Sequence, residues 1–141
     1  MTDIFVHNFK VKADAIDENN HVNNVVYIQW MQDVAILHST FQGWSQKEYF
    51  KISAGWVAKS HYIRYRNPAF LNDEIDAYTW ISTMSAMVCL RKYKFVRQKD
   101  SKVLAQAETE WVFVNINTGR PLKIFDKVKN SFQTVLPDQE P

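Results

Sequence analysis

The chain has 141 residues, with 17 Lys plus Arg against 15 Asp plus Glu and a formal net charge of +2. That length suits one core rather than two, and so even a charge balance argues against nucleic acid as the main partner. Apolar residues at 46%, with only three glycines and four prolines, exclude a disordered chain, and the single Cys89 excludes both an internal disulfide and a cysteine-based zinc site.

Residues 4 to 15 alternate in character, with Phe5, His7, Phe9, Val11 and Ala13 on one face, which predicts a first strand. The stretch from Met1 to Lys12 lacks the continuous apolar run of a secretory leader, and no segment approaches the roughly 20 apolar residues of a membrane span. A cytoplasmic location with no membrane span is therefore expected, and a lone cysteine fits a reducing compartment. Asp17-Glu18-Asn19-Asn20 reads as a polar turn. Asn23 then reads as the cap of a helix over residues 24 to 41, because its side-chain oxygen can accept a free backbone N–H of the first turn. Val25, Val26, Tyr27, Ile28, Trp30, Met31, Val34, Ala35, Ile36, Leu37 and Phe41 leave this helix a thin polar stripe, so it should be surrounded by protein.

Four segments rich in Val, Ile, Thr and aromatic residues follow, at 56 to 66, 74 to 84, 87 to 99 and 102 to 116. Asn67-Pro68 and Asn72-Asp73, Ser85, and the Lys99-Asp100-Ser101-Lys102 connection divide them, and strands joined this briefly pair antiparallel. A short helix over 125 to 135 and a polar tail over 136 to 141 complete the chain. The order implies a single α+β domain over residues 1–135, an antiparallel sheet curled around one long central helix. Open sheet edges and an uncovered face call for a second copy, hence a homodimer or homotetramer.

The stretch from Asp17 to Trp30 is the most informative. It sets an acid, amides and an imidazole immediately before a helix start, where free N–H groups and the helix dipole favour negative charge. Such donors suit the oxyanion formed when a thioester carbonyl is attacked. Asp17 could deprotonate a water or attack the carbonyl itself, and His21 could donate a hydrogen bond, orient the carbonyl or carry a proton to the leaving thiol. Trp56, with Tyr62 and Tyr65, is a candidate wall for an acyl pocket. Arg91, Lys92, Lys94 and Arg97 alternate along one strand as candidate cations for CoA phosphates, with ordinary packing and a solvated strand as the plain readings.

Asp17, Asn19, His21, Asn23, Asn24, Tyr27 and Trp30 stand at the spacing of the Asp-x-Asn-x-His-Val-Asn-Asn-x-x-Tyr-x-x-Trp pattern. In this the chain resembles the thioesterase branch of the hot-dog superfamily, which includes 4-hydroxybenzoyl-CoA, short acyl-CoA and plant acyl-ACP thioesterases. The resemblance implies a single hot-dog domain hydrolysing an acyl-CoA or acyl-ACP, with Asp17 as the catalytic carboxylate. It places the backbone N–H near Asn24 in the oxyanion hole; Asn19 and His21 are expected beside Asp17 in the catalytic loop, and Tyr27, Trp56 and Arg91 against substrate. Neither a metal nor a cofactor beyond the substrate's carrier is expected. Asn20 stands where bacterial members usually carry Gly, and the plant enzymes carry two such units where this chain has one. An enoyl-thioester hydratase of the same fold, or a non-catalytic acyl-CoA-binding sensor, are the alternative readings.

Overall fold

A computed structural model describes residues 3–141; Met1 and Thr2, the first residues of the expected domain, lie outside it. The first strand, β1 (Phe5–Lys10), turns Phe5, His7 and Phe9 inward as the alternation predicts, but it stops at Lys10. Beyond it a short 3-10 turn at Ala13–Ala15 replaces the last part of the expected strand, burying Ala15 and exposing Ala13. The central helix, α1 (Val26–Phe41), begins two residues later than expected and buries Tyr27, Met31, Val34, Ala35 and His38. Gly43, at φ 95°, turns the chain after it, and a second helix, α2 (Gln46–Lys51), follows. That helix is absent from the sequence reading, although Ser45 caps it by accepting the Glu48 N–H at 3.3 Å.

The long strands stand close to expectation: β2 (Ala54–Tyr65), β3 (Glu74–Met84), β4 (Val88–Arg97) and β5 (Lys102–Asn115). All pairings are antiparallel, in the order β1-β3-β4-β5-β2. The simple succession of neighbours fails at one point. β2 pairs with β5 instead of β3, because the connection over residues 66 to 73 carries the chain across the sheet. Register shifts at Ala58/Ser60, Ile81/Thr83 and Phe95/Val96 act as bulges, which bend their strands and curl the sheet around α1.

Two packed clusters fill the concave side. One joins the first half of α1 to β1, β3, β4 and β5 through Tyr27, Met31, Val34, Ile75, Tyr93, Phe95 and Leu104. The other gathers Ala54, Ile81, Cys89, Phe113, Ile124, Val128 and Phe132. The terminal helix is shorter than expected, α3 (Asp126–Lys129). The tail is docked as well: Glu140 accepts the Trp80 indole N–H at 2.8 Å and pairs with Lys92 at 3.1 Å. α1 is less enclosed than its composition suggests, since Ile36 is 60% and Phe41 77% exposed. Among the described residues no helix is long and apolar enough to cross a membrane.

Candidate active site

The loop before α1 is tied down from both sides. An Ile16–Val22 antiparallel bridge pinches residues 17 to 21 into a hairpin, in which Asp17 N–H donates to the His21 carbonyl at 3.0 Å and Asn20 N–H to the Asp17 carbonyl at 3.0 Å. The Asp17 carboxylate accepts the Asn19 N–H at 2.9 Å, which fixes its side chain within the loop. Asn20 has φ 67°, a conformation Asn tolerates better than most residues and Gly adopts freely. The Val22 and Asn23 N–H groups donate to Ala69 and Ala15 carbonyls, each at 2.9 Å, which seats the hairpin at the start of α1.

Asn23 stands two residues before the cap position, Val25, so its side chain fixes the approach to α1 and not a donor of the first turn. Its side-chain oxygen accepts the Val25 N–H and its carbonyl the Val26 N–H, each at 3.0 Å. The Asn24 N–H just before them has no acceptor among the described residues, while the Asn24 carbonyl is held by the Tyr65 hydroxyl at 2.7 Å. Asp17 and His21 are half-buried and Asn19 and Asn24 exposed. The hairpin thus holds Asp17, Asn19 and His21 in one turn, and Asn24 follows three residues on. His21 Nδ1 lies 3.5 Å from the Val22 carbonyl, the outer limit of a hydrogen bond.

Tyr27, Trp56 and Arg91 do not join them. Tyr27 is a core residue, packed edge-on against Trp30, Tyr65 and Phe95, and burial raises its phenol above the ordinary range. Trp56 and Arg91 line a different feature, a cavity of about 570 Å³ beside the second half of α1, with Ser39, Tyr49, Cys89 and Trp111. The Trp56 indole N–H donates to the Tyr49 hydroxyl at 2.8 Å, and that oxygen lies 3.2 Å from Ser39 Oγ. Tyr49, on the unexpected α2, is the wall residue that sequence reasoning missed; the Ser45-x-x-Glu48 capping box was its available signal. Burial pushes the Cys89 thiol up to about 11, so it is no ready nucleophile.

The structure also corrects the placement of the strand cations. Arg91 is 5% and Arg97 6% exposed, and both face inward with Cys89, Tyr93 and Phe95, because alternate residues of a strand share a face. Neither is presented to a phosphate at the surface. Arg91 Nη1 donates to His38 Nδ1 at 2.9 Å and Thr79 Oγ1 at 3.0 Å. Since arginine only donates, His38 Nδ1 is the acceptor and its proton resides on Nε2. Burial, aided by the adjacent guanidinium, lowers the His38 pKa to about 3, which keeps the ring neutral.

The acid loop and the larger cavity occupy opposite stretches of α1. With a rise of about 1.5 Å per residue, the wall residues Gln32 and Ser39 lie about 9 and about 20 Å along the axis from Val26. A second cleft, of about 440 Å³, borders the first turn of α1 through Ala15, Val26, Trp30, Lys10 and Asp33. Among the described residues, no three His, Cys, Asp or Glu side chains are grouped to hold a metal ion.

A curled sheet, a buried helix and a pinched Asp-containing hairpin at its start define a hot-dog domain. The chain belongs to the thioesterase-like superfamily, whose family model matches residues 11–132. It is similar to the chloroplastic palmitoyl-acyl carrier protein thioesterase of Cuphea hookeriana, with 24% identity over 145 residues, covering 98% of this chain and 35% of the relative. The chain therefore spans about a third of that protein's length. Among solved structures it resembles the DHNA-CoA thioesterase of Staphylococcus aureus, with TM-score 0.84 and 14% identity over 91% of this chain and 87% of that one. It likewise resembles the 1,4-dihydroxy-2-naphthoyl-CoA thioesterase of Synechocystis, with TM-score 0.83 and 15% identity over 91% and 94%. At such identities the structural likeness establishes the fold alone.

Proposed function

We propose that the protein hydrolyses an acyl-CoA, or an acyl-ACP, to the free acid and the thiol. Either water deprotonated by Asp17 adds to the thioester carbonyl carbon and expels the thiolate, or the Asp17 carboxylate adds, expels the thiolate and leaves a mixed anhydride that water cleaves; in both, water supplies the acid's oxygen and the thiol's proton. The observation that carries this reading is the Asn24 N–H, which has no acceptor among the described residues and lies at the approach to α1, three residues after the hairpin that holds Asp17. A donor with that placement can stabilise a developing oxyanion, with a typical effect of about 3 kcal/mol on the barrier. Asp17 acts as base or nucleophile, Asn19 fixes its carboxylate, and His21 orients the carbonyl. A thiolate is a good leaving group and needs little acid assistance.

The same reading includes a homodimer or homotetramer. Support comes from Ile36, Phe41, Phe50 and Val57, all exposed on one chain, and from the unpaired edge of β2. The distance between the acid loop and the larger cavity supports a site in which one copy's loop serves the other's cavity. The test is thiol release from aromatic, short and long acyl-CoAs by wild type and Asp17→Asn. The variant is expected to lose at least about a hundredfold in turnover while still binding CoA thioesters. Equal activity of the two proteins would remove Asp17 from the mechanism, and sedimentation as a monomer would remove the shared site.

A further inference from the structure

The larger cavity is lined by a buried cation that has no counter-charge among the described residues. Arg91 is 95% buried, yet its partners are neutral: His38, held deprotonated, and the Thr79 hydroxyl. No carboxylate pairs with it among the described residues. Both of these bonds use Nη1, and among the described residues nothing accepts from Nε–H or the Nη2 hydrogens. No side-chain nitrogen sealed from solvent lacks a partner, so those donors are open to the cavity that Arg91 lines.

Burying an uncompensated charge is costly, and proteins that do so ordinarily provide a counter-ion. The free edge of the guanidinium also has a particular shape. Nε–H and one Nη2–H point the same way, the parallel fork that matches the two oxygens of a carboxylate. His38 and Thr79 hold the opposite side, so the fork is oriented before any ligand arrives. Ile81, Trp56, Trp111 and Phe132 give much of the remaining wall an apolar or aromatic character suited to a hydrocarbon or ring, interrupted by polar side chains such as Gln32 and Asn115.

We propose that this cavity receives an acyl group bearing a second carboxylate at its far end, the half-thioester of a dicarboxylic acid, and that Arg91 binds the terminal carboxylate through its Nε/Nη2 edge. Arg91 is then a specificity-determining residue. It rests on the thioesterase reading for the reacting end of the substrate, while the carboxylate site depends only on the cavity.

The experiment compares matched pairs differing only in the terminal group, suberoyl-CoA against octanoyl-CoA and adipoyl-CoA against hexanoyl-CoA. Thiol release is followed for wild type, Arg91→Met and Arg91→Lys, together with the thermal shift induced by free suberate and free octanoate. Wild type is expected to favour the carboxylate-bearing member by about ten- to a hundredfold in kcat/KM, the usual reach of a charge-assisted hydrogen bond. Arg91→Met should abolish or reverse that ratio, and Arg91→Lys should retain part of it, as a point charge without the fork. Preferential stabilisation by suberate, present in wild type and absent in Arg91→Met, is the matching binding result. Hydrolysis of both members without preference, or an equal loss on both in Arg91→Met, overturns the carboxylate site and leaves the thioesterase reading intact. Suberate-selective stabilisation with no hydrolysis of any thioester supports the site and overturns the thioesterase reading. Misfolding of the Arg91 variants leaves the wild-type ratio and thermal shifts decisive.

Discussion

Arg91 and Arg97 lie on the same strand, on the same face and at nearly the same depth, yet they are opposite in their surroundings. Arg97 is closed on every side: Nη1 pairs with Asp73 at 3.2 Å and donates to the Pro68 carbonyl at 2.9 Å, and Nε meets Asp100 at 3.1 Å. Asp73 in turn accepts the Phe70 N–H at 2.9 Å. The network fastens the β2-to-β3 connection to the β4–β5 turn, engages Nε and both Nη nitrogens, and sets two carboxylates against the charge. Arg91 has neutral partners on one side and open space on the other. Burial alone does not assign a role to a charge; the presence or absence of its counter-ion does.

The largest effect expected from this contrast is on folding. Arg97→Met leaves the buried Asp73 without its main cation and should cost about 3 kcal/mol in a denaturant titration. A loss below about 1 kcal/mol would show that the network contributes little beyond exposed ion pairs and would break the comparison.

A pH titration of stability comes next. The folded pKa of His38, about 3, lies below its ordinary 6.5, so between those values the unfolded chain binds the proton and the folded chain does not. Stability is therefore complete above pH 6.5 and declines as the pH falls toward 3, with a slope from this residue approaching about 1.4 kcal/mol per pH unit. His38→Gln, which keeps an acceptor for Arg91 and has no titratable group, should remove that slope. An unchanged slope would place the acid sensitivity elsewhere.

The smallest effect is expected for Arg91→Met. The variant removes a desolvated charge but orphans the acceptor at His38, two changes of opposite sign, so its stability should shift by no more than about 1 kcal/mol. A loss as large as that of Arg97→Met would make the two arginines alike and Arg91 a structural residue.

Much of the fold could be read from local pattern. The long strands end within a few residues of their expected limits because β-branched and aromatic runs are bounded by Asn, Pro, Asp and Ser. The polar turn from Asp17 to Asn20 was legible for the same reason: its bonds join residues close in sequence, as between Asp17 and Asn19. α2 was overlooked although Ser45 and Glu48 carry a recognisable cap, since a single turn and a half of helix has almost no periodicity. Arg91 was half legible. Its parity with Cys89, Tyr93 and Phe95 already turns it inward, but nothing in the strand says what it meets there.

By itself the sequence determined the long strands, the central helix and the acid-bearing turn before it, because each depends on neighbours within a few positions. Tertiary structure alone decided that β2 joins β5, that Arg97 finds Asp73 and that Arg91 finds His38, across separations of 24 and 53 residues for the two arginine contacts. Such contacts depend on how the curled sheet closes on α1, and no local preference encodes which side chains that closure brings together.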